Sequence, residues 1–298
     1  MKPSSPLPIK DGVAPSYLWL PGGQADGMLA FLLMRFPAID EATWRLRMQR
    51  GEVADQHGQR LHPDSPCRRG DCIFYYRDLE GREQPIPFEE EILHQDQHLL
   101  VVDKPHFLPV IPTGRFLHET LLVRLKRKTG LADLTPIHRL DRETAGVILF
   151  STNTASRGAY QSMFQQREMD KTYEAVAGTL ESTQLPLIYR SRLEEAEQFF
   201  LMREVPGAPN SETHIDLIER RGAHSLYRLN PVTGRKHQLR VHLAALGIPI
   251  LNDTFYPHAV PAGTPDDYDA PLQLLARSIA FTDPLSGEVR YFESKRRL

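Results

Sequence analysis

His138-Arg139-Leu140-Asp141-Arg142-Glu143-Thr144-Ala145-Gly146 leads straight into Val147-Ile148-Leu149-Phe150, a knot of charge followed by an uninterrupted apolar run. Four consecutive apolar residues after a charged turn read as a buried strand. The turn itself sets Asp141 among two arginines and a histidine. Neighbouring cations favour the charged form of a carboxyl group, so Asp141 reads as a permanent anion, fit to be a nucleophile or an orienting base and a poor proton donor. The plainer alternative is that Asp141 caps the turn after Leu140 and the arginines are merely solvated. The rest of the chain has to decide between them.

Working outward, Val232-Thr233-Gly234-Arg235-Lys236-His237-Gln238-Leu239-Arg240-Val241-His242-Leu243 is a Thr-Gly turn feeding an amphipathic segment. Its polar residues can face a bound anion from a helix N-terminus. Lys171-Thr172-Tyr173-Glu174-Ala175-Val176-Ala177-Gly178 alternates like a strand and follows a helix-like run from Ala155 to Arg167. These three segments, in this order, resemble the RluA family of pseudouridine synthases. The conjunction is far more specific than any of its short pieces. Weaker signals extend the resemblance over roughly residues 90 to 292: Asp96 to Pro105, ending in Lys104-Pro105; Gly247 through Asp253 to Tyr256; and Leu274 to Pro284. The chain departs from the family pattern at Leu275, where a histidine is usual, at Asn252, where a glycine is usual, and at Ala145, where a serine is usual.

The resemblance implies an isomerase that breaks the bond between uracil and ribose, turns the base and rejoins it through a ring carbon. Such chemistry needs no redox change and no outside atom, so no cofactor and no metal are expected. Asp141 is then the essential acid, attacking the substrate covalently or withdrawing a sugar proton. Arg240 pairs with it, and Tyr173 stacks on the uracil; its plainer reading is a core strand tyrosine. Leu274 lines the pocket under the base or is simply a core residue. Arg139, Arg142, Arg235, His237 and Gln238 are expected to hold the substrate, with Arg142 filling the gap left by a flipped uridine.

Composition agrees with a soluble enzyme. The chain has 298 residues, 41% of them apolar, with 36 Lys and Arg against 38 Asp and Glu and a formal net charge of −2. Net charge therefore does not announce nucleic acid, but the basic residues cluster at Arg124 to Lys128, around Asp141, at Arg235, Lys236 and Arg240, and at Lys295 to Arg297. No apolar run approaches the ~20 residues of a membrane span, so the expected setting is the cytoplasm. Cys67 and Cys72 lack the further partners of a zinc site and read as reduced thiols.

The fold expected is α+β: a mixed, mostly antiparallel central sheet with flanking helices, preceded by a small N-terminal α/β domain. Residues 1–20 read as a disordered or extended lead. Residues 21–80 resemble an S-four-type RNA-binding domain, with helices from Gly27 to Phe36 and from Asp40 to Arg50, the latter carrying a basic face of Arg45, Arg47 and Arg50. A hairpin through His57-Gly58 follows. Its plainer reading is a small packing domain. Residues 81–91 read as a linker, 92–298 as the catalytic domain, and Ala259 to Ala270 as a loop. The expected partner is structured RNA, ribosomal in preference to transfer RNA, and the expected state a monomer. Two other classes stay open: a non-catalytic RNA-binding protein on the same fold, and a carboxylate-dependent nucleoside hydrolase, which would want a second carboxyl group.

Overall fold

The computed structural model describes residues 3–22, 25–77, 83–180, 185–198, 200–261 and 263–298. The chain divides into two compact units, a smaller one from residues up to 84 with 112–118 and 126–132, and a larger one from 85–111, 119–125 and 133–298. Residues 81 and 82 of the expected linker, and the first two of the lead, lie outside the described residues.

The smaller unit contains β1 (Ser16–Trp19), α1 (Met28–Arg35), α2 (Glu41–Gln49), β2 (Val53–Asp55) and β3 (Cys72–Tyr75), with an antiparallel sheet in the order β1-β3-β2. Met28, Phe31, Leu32, Trp44, Met48, Val53 and Ile73 form its core. Asp40 caps α2, its carboxylate accepting the Thr43 amide at 2.7 Å. The turn after β2 is held by the Asp55 carboxylate, which accepts the amides of His57 and Gln59, and Gly58 takes the positive φ it requires. The lead, expected to be disordered or extended, ends in a strand, β1, because Leu18 and Leu20 pack on the core and the strand pairs along β3. One expectation changes here. Arg47 is buried with its guanidinium 5.1 Å from the Trp44 ring, so it does not share an exposed basic face with Arg45 and Arg50.

In the larger unit lie β4 (Glu91–Gln95), β5 (Leu99–Lys104), β6 (Thr135–Pro136), β7 (Ala145–Ser151), α4 (Arg157–Gln166), β8 (Met169–Gly178), β9 (Leu187–Glu195), β10 (Met202–Val205), β11 (Ser211–Arg221), β12 (His224–Pro231), α5 (Gln238–Ala245), β13 (Leu274–Thr282) and β14 (Val289–Glu293). The helix α3 (Leu121–Thr129) has residues in both units. It starts after Thr120, whose hydroxyl accepts the Val123 amide.

The eleven strands form one sheet in the order β10-β9-β11-β12-β8-β13-β7-β5-β4, with β14 on β13 and β6 on β7. Every pairing is antiparallel except β13 with β7. The fold is the mixed, mostly antiparallel α+β sheet expected. All residues of β5 and β7 are buried, which accounts for the apolar runs Leu99–Val102 and Val147–Phe150 within them. At the parallel joint, Ala145 and Gly146 lie opposite Leu275 and Ala276. Gly146 has φ +113°, and a Cβ there would sit 2.2 Å from the Ala276 carbonyl oxygen. Only glycine allows β7 to meet β13 this closely, and that meeting sets the His138–Thr144 turn beside β8 and β13.

Candidate active site

A cavity of about 690 Å³ opens over the ends of β7, β8 and β13 and the start of α5. Its lining includes Arg139, Asp141, Tyr173, Arg235, His237, Gln238, Arg240 and Leu274. Arg142 is not among them. Within this lining Asp141 is the single acidic residue, among six arginines and lysines.

The turn carrying Asp141 is fixed from both ends. His138 is half-buried and stacks on Phe164, ring centroids 4.5 Å apart, and its Nε2 accepts the Leu149 amide at 3.1 Å, tying the turn onto β7. Burial pushes its pKa down to about 3, so it is a neutral acceptor and adds no charge beside Asp141. From below, the fully buried Lys104 donates from Nζ to the carbonyls of Pro105, Leu108 and Arg142 at 2.8, 2.9 and 3.0 Å. Burial pulls this ammonium down to about 7, against the opposing pull of Glu143 and Asp141.

Asp141 is 18% exposed. Its nearest partners are Arg240 Nη1, 3.7 Å from Oδ2, and His237 Nε2, 3.8 Å from Oδ1. Both are beyond hydrogen-bond length, so the carboxylate is held by charge and left uncovered toward the cavity. Arg240 is wholly buried, and its fork goes elsewhere: Nε and Nη2 donate to Asp253 at 2.8 and 2.6 Å. Nη1 then reaches Glu143 at 3.5 Å as well as Asp141. Burial works against this guanidinium's charge, but Asp253, Asp141 and Glu143 together hold it firmly protonated. The expected pairing of Arg240 with Asp141 is present, and the stronger bond is to Asp253.

His237 occupies a left-handed backbone position, φ 53°, just before α5. The Tyr256 hydroxyl oxygen accepts the Met202 amide at 2.8 Å and lies 2.8 Å from His237 Nδ1. In the Nε2–H tautomer the Tyr256 hydroxyl donates to Nδ1 and the imidazole N–H faces Asp141. Burial and the charges of Arg240 and Lys236 push the ring's pKa down to about 3. The Tyr173 phenol, on the cavity wall from β8, is driven upward by burial and by Asp141 and stays neutral. Leu274 lines the cavity and belongs to the core with Leu239 and Ile250.

Two substrate-binding expectations change. All the polar atoms of Gln238 are engaged: Oε1 accepts the Thr233 hydroxyl and the Arg235 amide, and Nε2 donates to the Glu212 carbonyl and Thr213 Oγ1. It shapes the Thr-Gly turn and has nothing left for a ligand. Arg142 forks onto Asp266 at 2.8 and 2.7 Å and donates to Glu143 at 3.0 Å, so it faces the 259–270 loop. Arg139 and Arg235 remain exposed on the cavity wall.

The sequence profile of the RNA pseudouridylate synthase family matches residues 98–245, which hold the Asp141 turn, Tyr173 and Arg240. The chain is 34% identical to the dual-specificity RNA pseudouridine synthase RluA of Haemophilus influenzae, over 69% of this chain and 92% of that one. This chain belongs to the RNA pseudouridine synthase family. A human pseudouridylate synthase, RPUSD2, is also 34% identical over 62% of the chain, which spans only 34% of that longer protein. Among solved structures, human RNA pseudouridylate synthase domain containing 1 shares the fold, with TM-score 0.58 and 22% identity over 72% of this chain and 86% of that one.

The synthase's departures from the family pattern have local explanations. Asn252 stands at φ +63°, a left-handed position that asparagine tolerates best after glycine. Leu275 is wholly buried, and alternation along β13 turns it to the face opposite Leu274. Ala145 is wholly buried at the parallel joint. Asp253 and Tyr256 went unassigned in the sequence although both lie in the Gly247–Tyr256 motif; their signal was present, but which arginine or histidine they serve is decided by tertiary packing. Among the described residues, no three His, Cys, Asp or Glu side chains are grouped to hold a metal, and no helix is long and apolar enough to cross a membrane.

Proposed function

We propose that this RNA pseudouridine synthase acts on one specific uridine in structured RNA, with Asp141 as the essential acid, Tyr173 stacking on the flipped uracil, and Arg240 positioning Asp141 through its anchorage on Asp253. The observation that carries the reading is the uncovered Asp141 carboxylate, the single acid on a cavity wall with six basic side chains. Covalent attack and proton withdrawal both need a carboxylate oxygen open to the substrate. Leu274 floors the base site, and Arg139 and Arg235 meet the RNA backbone. His237 offers its Nε2 proton to the acid or to a uracil carbonyl. Of the two arginines flanking Leu140-Asp141, Arg139 is the one placed to fill the stack behind a displaced base, because Arg142 is committed to Asp266.

The same cavity argues against a nucleoside hydrolase. Glu143, a second carboxyl group two residues on, is buried between Arg142 and Arg240 and does not line the cavity, so it offers a substrate no general acid. The enzyme is read as a cytoplasmic monomer with residues 21–80 as an RNA-binding-like domain and 92–298 as the catalytic domain. The presence of that small domain favours ribosomal RNA over transfer RNA.

The test is pseudouridine mapping of total RNA from strains carrying the intact gene, a deletion, or Asp141→Ala. The expected result is one site lost in both altered strains, with no free uracil released by the purified enzyme. Retention of the site in the Asp141→Ala strain would remove the acid from the mechanism. Uracil release would establish a hydrolase instead.

A further inference from the structure

Lys171 stands two residues before Tyr173 on β8, so the two side chains leave the strand on the same face, about 6.6 Å apart. Both line the cavity that holds Asp141. The lysine is half-buried, and among the described residues its ammonium has neither a hydrogen-bond acceptor nor a carboxylate partner. Its neighbours offer none: Gly234 of the Thr-Gly turn faces it, a Cβ built there lying 3.8 Å from Nζ, and Arg167 adds a second positive charge to the same wall. Asp141 is already shared between Arg240 and His237. Burial first, and then Arg167, pull the lysine's pKa down, the mark of a cation placed where an anion is missing.

A nucleotide seated with its base on Tyr173 carries its only full negative charge one sugar away. Resting on the pseudouridine synthase reading, we infer that Lys171 is a substrate-binding residue that takes the backbone phosphate next to the flipped uridine, with Arg167 at its side. The grip sets the sugar over Asp141 and makes entry of the base depend on the presence of its phosphate. The lysine's solitude in the free enzyme follows: a resident counter-ion would have to be displaced each time RNA enters.

The probe is total RNA from a strain lacking the gene, with filter binding across a series of KCl concentrations and pseudouridine formation measured on the same preparations. Lys171→Met keeps the apolar stem and removes the charge. It should flatten the slope of log affinity against log salt by about one phosphate contact, ~0.7–0.9. KM should rise by about tenfold while kcat at saturating RNA stays near wild type. Lys171→Arg should restore most of the affinity. The thermal midpoint of Lys171→Met should equal or exceed that of wild type, since an unpartnered half-buried cation is being removed; a purely structural lysine would give a lower midpoint. An unchanged salt slope and KM, or a loss confined to kcat, would overturn the assignment, as would wild-type binding that does not respond to salt. Salt-dependent binding without pseudouridine formation would refute the isomerase reading alone, and the slope difference would still judge the lysine.

Discussion

Arg240 lies within reach of three carboxylates, and what its removal does depends on which of them is left unbalanced. Arg240→Met should cost on the order of 3–5 kcal/mol, because Asp253 is then buried without its fork. In Arg240→Met/Asp253→Leu the orphaned charge is gone, so urea unfolding should show stability largely regained while pseudouridine formation stays lost. Recovery of both would mean that Arg240 only fills space. The two arginines flanking Leu140-Asp141 should separate in the same way. Arg142→Ala should lower the unfolding midpoint through loss of its bonds to Asp266 and Glu143 and leave RNA affinity nearly intact. Arg139→Ala should weaken RNA binding without changing stability, as filter binding and thermal melts will show. At this scale the sequence named the acid, the tyrosine and the arginine from their motifs. It could not show that Arg142 is bonded to Asp266 and Gln238 to the Thr-Gly turn, because a polar side chain in a motif looks the same whether it faces a ligand or an internal partner.

At the scale of elements, the joint between β7 and β13 decides where the acid stands. Gly146→Ala must relax a positive φ and push a backbone carbonyl aside, so a loss of several kcal/mol is expected, on the order of 3 or more. The readout is the thermal midpoint together with the yield of soluble protein; a stable Gly146→Ala variant would show that the joint yields without strain. Part of the larger unit was legible from periodicity, since the apolar runs Leu99–Val102 and Val147–Phe150 mark β5 and β7 and β8 follows α4 where the alternation begins. Illegible were the strand order and the parallel pairing, because they depend on Leu275 meeting Ala145 across 130 residues of chain. The strand at Ser16–Trp19 was lost for a simpler reason: its polar and prolyl neighbours mask four residues that only β3 makes ordered.

For the molecule as a whole, buried imidazoles set the response to acid. Burial holds His138 and His237 down to about 3, and His106 and His242 down to about 4. A folded-state value below the unfolded 6.5 means the unfolded chain binds more protons in between, so stability is complete above 6.5 and falls as pH drops through that window. His242 is wholly buried among Ser191, Ser211 and Thr213 and alone contributes on the order of 3 kcal/mol by pH 4. Thermal midpoints should therefore decline from pH 6.5 to pH 5, before carboxylates titrate, and the decline should be shallower in His242→Gln; a flat profile in wild type would refute this. Lys104 bears on a longer timescale than any titration. Because it ties the Arg142 carbonyl of the turn to those of Pro105 and Leu108 and does not line the cavity, the frame and the reactive acid are inherited separately. A gene copy that lost Asp141 but retained Lys104 and Gly146 would still fold around an open cleft. Duplication of this gene thus offers a short evolutionary path from a modifying enzyme to a protein that only escorts RNA.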